Sequence, residues 1–136
     1  MTPELAAAAR ELVVGDSATC VAANAVQTCE QLSRHLAQMI GEVGIRTLLA
    51  RSATLTSARF SWFAGAIPKT APAESPWAAL RVAMEVQDPH TACDAFVDLL
   101  TTFIDLLSRL IGDALVGQLL HELWPQLFPS SAKGIP

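Results

Sequence analysis

The sequence predicts an all-α protein: a single bundle of about six helices, built as two tandem copies of a three-helix unit with pseudo-two-fold symmetry. Aromatic residues make up only 6% of the chain and tyrosine is absent, whereas alanine is abundant. This composition favours helices over a β sandwich. Apolar residues recur at helical spacing through most of the chain. A framework of residues also recurs about 71 positions further on, which indicates an internal duplication.

The repeat is clearest around two glycines. Between Leu36 and Leu49 an apolar pair leads into Gly41, an acid follows, and the pattern closes on two leucines; residues 107–120 repeat this order around Gly112. The match extends upstream, where four further positions correspond in order: Ala22, Val26, Cys29 and Leu32 with Cys93, Val97, Leu100 and Phe103. We expect the two glycines to occupy equivalent turns.

The length of 136 residues fits one domain. We expect this domain to span residues 1–129, with the first repeat at about 2–63, a linker at 64–74 and the second repeat at about 75–128. Residues 130–136 should form a flexible tail.

The first helix is predicted to begin with Thr2 as its N-cap and Pro3 at its first position, and to end at Gly15. Asp16 or Ser17 then caps a longer second helix with one apolar side. That apolar side comprises Val21, Ala22, Ala25, Val26, Cys29, Leu32, Leu36 and Ile40.

Gly41 is placed to end the second helix in a left-handed cap. Apolar residues from Ile45 onward then predict a third helix that reaches to about Arg59. Phe60, Trp62 and Phe63 follow at the head of the linker. They either seal the end of the helical core or are displayed for a protein partner, because aromatic side chains concentrate binding energy at interfaces.

Ser75 and Pro76 repeat the pattern of the first helix start and predict a fourth helix to about Gln87. Residues 80–86 nearly alternate between apolar and polar, so a strand remains an alternative there. Alanine, leucine, methionine and glutamate in this stretch favour the helix.

Asp88 and Pro89 open the predicted fifth helix, which Gly112 ends. Asp113 then caps a sixth helix, and Pro125 stops it.

Apolar residues cover an unusually wide arc of the fifth helix, more than the roughly 100° that a one-sided helix buries. Left in water, they would form a large patch of the kind that monomers avoid. A symmetric dimer is the commonest way to cover such a patch. The predicted interface residues are Phe96, Leu99, Phe103, Leu106 and Leu110.

The charge pattern argues against nucleic acid as a partner. The net charge is −4, and residues 74–122 hold two basic and eight acidic side chains. Arg46, Arg51 and Arg59 could form a small patch for an anionic ligand on the third helix, but solvated arginines are the favoured interpretation. No stretch reaches the roughly 18 uninterrupted apolar residues of a membrane span.

Three cysteines without paired spacing fit a reducing compartment, so we expect a cytoplasmic protein whose thiols are buried and inert. His90, Asp94 and Asp98 share one helical face at a spacing of four. Bundle metal sites draw ligands from several helices, so we expect no metal at these residues. The sequence contains no nucleophile–base spacing and no phosphate-binding loop, and we expect no catalytic residue and no cofactor.

These features favour a non-catalytic helical module for protein interaction or regulation, in the form of a homodimer. The alternative is a helical bundle that binds a small apolar ligand or cofactor between its two halves, where bundles commonly place such sites. The two differ in whether the apolar excess covers a subunit interface or lines a cavity.

Overall fold

A computed structural model describes residues 3–70 and 75–128. All regular structure in these ranges is helical and packs into one compact unit, and neither range contains a strand. The elements are α1 (Pro3–Val13), α2 (Ala18–Thr56), a short 3-10 helix η1 (Ser61–Phe63), α3 (Ala78–Glu85), α4 (Pro89–Ile111) and α5 (Asp113–Leu123).

The described residues form five α-helices where the sequence predicted about six. The second and third predicted helices follow each other without a connecting loop and form the single element α2, which is interrupted only at Gly41. Gly41 has φ 79° and ψ 159°, and Gly112, between α4 and α5, has φ 93° and ψ 150°. Both glycines therefore hold the same positive-φ conformation, although ψ is extended rather than that of the expected left-handed cap.

Local capping signals position the two longest helices. The Ser17 side chain accepts a hydrogen bond from the Cys20 amide at 3.1 Å and begins α2. The Asp88 carboxylate accepts one from the Thr91 amide at 2.9 Å and begins α4. Asp113, predicted as a cap, is instead the first residue of α5.

The predicted fourth helix is present as α3, so the strand alternative for residues 80–86 is wrong. α3 is shorter than expected and begins after Trp77. Its buried side chains Leu80 and Met84 are one helical turn apart and face α2.

α4 lies at the centre of the bundle, in contact with α1, α2 and α5. Phe96, Leu99 and Phe103 are completely buried within the chain's own core, Leu106 is half-buried, and Leu110 is exposed. The wide apolar arc of this helix is therefore covered mainly by other helices of the same chain. The predicted interface on this helix assumed that α4 buries only one side, and it did not allow for contacts with three other helices.

Several expectations lie outside the described residues: the Thr2 cap, the last part of the linker at 71–74 and the tail at 130–136. The first part of the predicted linker packs against the core, because Ala66 and Ile67 are buried there. Within the described ranges, no helix is long and apolar enough to cross a membrane.

Candidate functional site

The aromatic residues after α2 form a cluster that points mainly inward. Phe63 is fully buried, while Phe60 and Trp62 are half-buried. The Trp62 ring meets the rings of Phe60 and Phe63 edge-on, with centroid distances of 6.4 and 5.2 Å. These contacts show the cluster packed against the end of α2, leaving only parts of two rings accessible to a partner.

Arg46 joins the segment after this cluster to the start of α3. Its Nε donates to the Pro68 carbonyl oxygen at 2.8 Å, and its guanidinium carbon lies 4.7 Å from the centre of the Trp77 ring. Burial lowers the pKa of Arg46. The hydrogen bond and the cation–π contact together hold two loop segments against α2.

The three arginines of the predicted basic patch do not act together. Arg46 is engaged in the contact just described, and Arg59 pairs with Asp98 at 3.3 Å. Of these three arginines, Arg51 is the one that is exposed and has no ion pair in the described ranges.

Arg51 borders a recess of about 400 Å³ between α2 and residues 65–69, which we call the basic recess. Lys69 supplies its second cation, and its other lining residues are Thr47, Ala50, Ala53, Thr54, Gly65, Ile67 and Pro68.

A second recess, of about 460 Å³, lies between residues 64–66 and α3. All of its lining residues are apolar, and most are alanines: Ala64, Gly65, Ala66, Ala78, Ala79, Val82 and Ala83. It continues onto the outer side of α3, where Val82 and Val86 are 62% and 76% exposed. We call the stripe formed by Ala79, Val82, Ala83 and Val86 the α3 surface.

The residues considered for a metal site are engaged in ion pairs. Asp94 contacts Arg10 at 2.8 Å and His90 at 3.3 Å, whereas Asp98 pairs with Arg59. Across the described part of the chain, no group of three or more His, Cys, Asp or Glu side chains is placed to hold a metal ion.

The three cysteines occupy different environments. Cys29 and Cys93 are buried, and burial raises the pKa of each thiol. Cys20 is exposed, contrary to the expectation that all three would be buried. Cys20 lies in the first turn of α2, on the polar side of that helix, whereas Cys29 faces the core.

Sequence reasoning did not identify the α3 surface or the basic recess. The signal for the first was present in the alternation of residues 80–86, where two of the apolar side chains turn outward. The second had no sequence signal, since Arg51 and Lys69 come together only through the fold of residues 65–69.

Comparisons of the chain with protein-family models, with curated proteins and with solved structures find no match.

Proposed function

We propose that this chain is a non-catalytic helical interaction module that forms a homodimer through the α3 surface. The supporting observation is the exposed apolar stripe of α3, which adjoins a recess lined only by apolar residues. Contiguous apolar surface of this kind is typical of interaction sites. The proposed interface therefore differs from the one first predicted on α4, whose central residues lie in the core.

The spacing of the stripe suits helix pairing. Ala79, Val82, Ala83 and Val86 follow each other at intervals of three, one and three residues, which places them on one side of the helix. The alanines allow two helix backbones to approach closely. Burying both exposed valines from each of two copies would contribute about 4–8 kcal/mol before the cost of association is subtracted. This range corresponds to a dissociable dimer.

The charges on α3 lie away from the stripe. Arg81 and Glu85 are two residues before and two residues after Ala83, a spacing that places them on the opposite side of the helix from it. The stripe itself carries no charged side chain, so a second copy of the same apolar surface can cover it without burying a charge. A symmetric dimer is the commonest arrangement of this kind.

A non-catalytic role and a cytoplasmic location are part of the proposal. The clustered carboxylates Asp94 and Asp98 each pair with an arginine, which suits structural ion pairs better than proton transfer. The thiols Cys20, Cys29 and Cys93 are all free, which fits a reducing compartment.

We also propose that the two halves of the chain are duplicated units related by a pseudo-two-fold axis. α1 packs mainly on α4 and α3 packs mainly on α2, so each short helix covers the long helix of the other half. Burial agrees at most matched positions, although Leu48 is half-buried where Leu119 is buried. The pairs Val26/Val97, Cys29/Leu100, Leu32/Phe103, Leu36/Leu107, Ile45/Val116 and Leu49/Leu120 are buried, and Met39/Leu110 and Val43/Ala114 are exposed.

Light scattering coupled to size-exclusion chromatography tests the dimer. The wild-type chain should approach twice its monomer mass of 14.5 kDa as its concentration is raised toward the millimolar range. Val82→Glu should yield a folded monomer, whereas Val43→Glu, at a valine that is 80% exposed elsewhere, should leave the dimer intact.

A monomeric wild-type chain under these conditions would refute the dimer. Loss of the dimer in Val43→Glu as well as in Val82→Glu would refute the assignment of the interface to the α3 surface.

A further inference from the structure

We infer that the basic recess is a binding site for a small organic anion with an apolar body. This inference does not depend on the proposed dimer, because the recess is lined by α2 and residues 65–69 rather than by the α3 surface. Its volume of about 400 Å³ lies within the range of small-molecule sites.

The recess combines an apolar floor with a cationic rim. Ala50, Ala53 and Ile67 are buried and form the floor, and the exposed side chains of Arg51 and Lys69 stand at the rim. Within the described ranges, neither cation contacts a carboxylate. Two unpaired cations beside an apolar floor match a ligand that carries one acidic group on a hydrophobic skeleton.

The hydroxyl groups of the recess add to the preference for an anion. The Thr54 hydroxyl donates to the Ala50 carbonyl oxygen at 3.1 Å, so its hydrogen is already engaged. Thr47 lies two turns earlier on the same side of α2, and its hydroxyl makes no hydrogen bond within the described ranges. The rim therefore offers three groups able to donate to a ligand: Arg51, Lys69 and Thr47.

The wall opposite α2 is held in place before any ligand arrives. Arg46 anchors Pro68 through its 2.8 Å hydrogen bond, and Ile67 is buried next to it. Gly65 turns the chain at a φ of 77°, a conformation that favours glycine. A preformed wall lowers the entropic cost of binding.

The probe for this site is 8-anilinonaphthalene-1-sulfonate, with N-phenyl-1-naphthylamine as the matched neutral compound that lacks the sulfonate. Fluorescence titration should show saturable binding of the sulfonate at one site per chain. Arg51→Gln/Lys69→Gln should weaken this binding by about tenfold for each cation removed. Binding of the neutral compound should change little in the same variant.

Two further variants distinguish the recess from other apolar surface. Arg34→Gln/Arg109→Gln removes two exposed arginines elsewhere and should leave sulfonate binding unchanged. Thr47→Trp, at an exposed lining position, should fill the recess and abolish binding of both compounds. Circular dichroism verifies that each variant is folded. The inference is overturned if the wild-type chain does not bind the sulfonate, if both double variants weaken binding equally, or if Thr47→Trp leaves it unchanged.

Discussion

Gly41 and Gly112 hold the backbone at positive φ with extended ψ, a region that only glycine occupies readily, so alanine at either position should destabilise the fold. A Cβ atom at either residue would meet no atom within 4 Å. The expected cost is therefore backbone strain alone, on the order of 1–3 kcal/mol of unfolding free energy for each substitution.

Each of these glycines is followed, within about one helical turn, by a second glycine that serves as its matched control. Gly44 and Gly117 are helical, and an added Cβ meets only the Ile40 side chain at 3.6 Å in the first case and nothing within 4 Å in the second. Alanine in a helix interior is more stable than glycine by roughly 0.5–1 kcal/mol. The two members of each pair should therefore change stability in opposite directions, with a difference of about 1.5–4 kcal/mol.

Urea unfolding followed by circular dichroism measures these differences, at one fixed protein concentration because the proposed dimer would make stability depend on concentration. If Gly41→Ala stabilises the protein as Gly44→Ala does, residue 41 is helical and the interruption of α2 is absent. If the duplication is real, the costs of Gly41→Ala and Gly112→Ala should agree within about 1 kcal/mol. A large cost at one glycine and none at the other would contradict that equivalence.

Two further substitutions test the core and a helix cap. Phe103→Asp should abolish the helical signal in circular dichroism, because it buries a charge at the centre of α4. Leu110→Asp, at a residue that is 62% exposed, should still fold. A folded Phe103→Asp variant would contradict the central position of Phe103. Hydrogen bonds from the Thr91 amide and hydroxyl lower the pKa of Asp88. The stability that Asp88 contributes to the fold is therefore present above the ordinary carboxyl pKa and is lost as the pH falls through the lowered pKa. Asp88→Ala should therefore lower the melting temperature at neutral pH and have progressively less effect in acid, and a pH-independent difference would refute this.

The features that the sequence predicted correctly depend on local chemistry. Ser17 and Asp88 begin helices because a short polar side chain reaches an amide of the next turn. Gly41 and Gly112 interrupt helices because they tolerate positive φ. The number of helices was harder to predict, since a single glycine can redirect a helix without any loop between its two parts.

Contacts between distant segments explain what the sequence could not predict. The position of Arg46 over Trp77 depends on where residues 65–70 and Trp77 lie against α2, and no periodic pattern in the sequence predicts that placement. The basic recess arises in the same way, because Arg51 and Lys69 border one recess only after the chain has folded.

The many apolar side chains of the sequence lie in two places. Most of them lie in the core around α4, which contacts three other helices of the chain, and the abundant alanines allow those helices to approach closely. The remaining large apolar side chains at the surface of the described ranges are few, and two of them, Val82 and Val86, share the stripe on α3.

Because of this distribution, we expect one chain to fold without pairing with a second copy. Because Phe96, Leu99 and Phe103 are buried within one chain, the core does not require a second subunit. The α3 surface is small, so the proposed dimer should dissociate while each chain stays folded. Val82→Glu should therefore change the mass in solution and leave the circular dichroism spectrum unchanged. Loss of the helical signal together with the dimer would instead mean that the two chains fold as one unit, contrary to the enclosed position of α4.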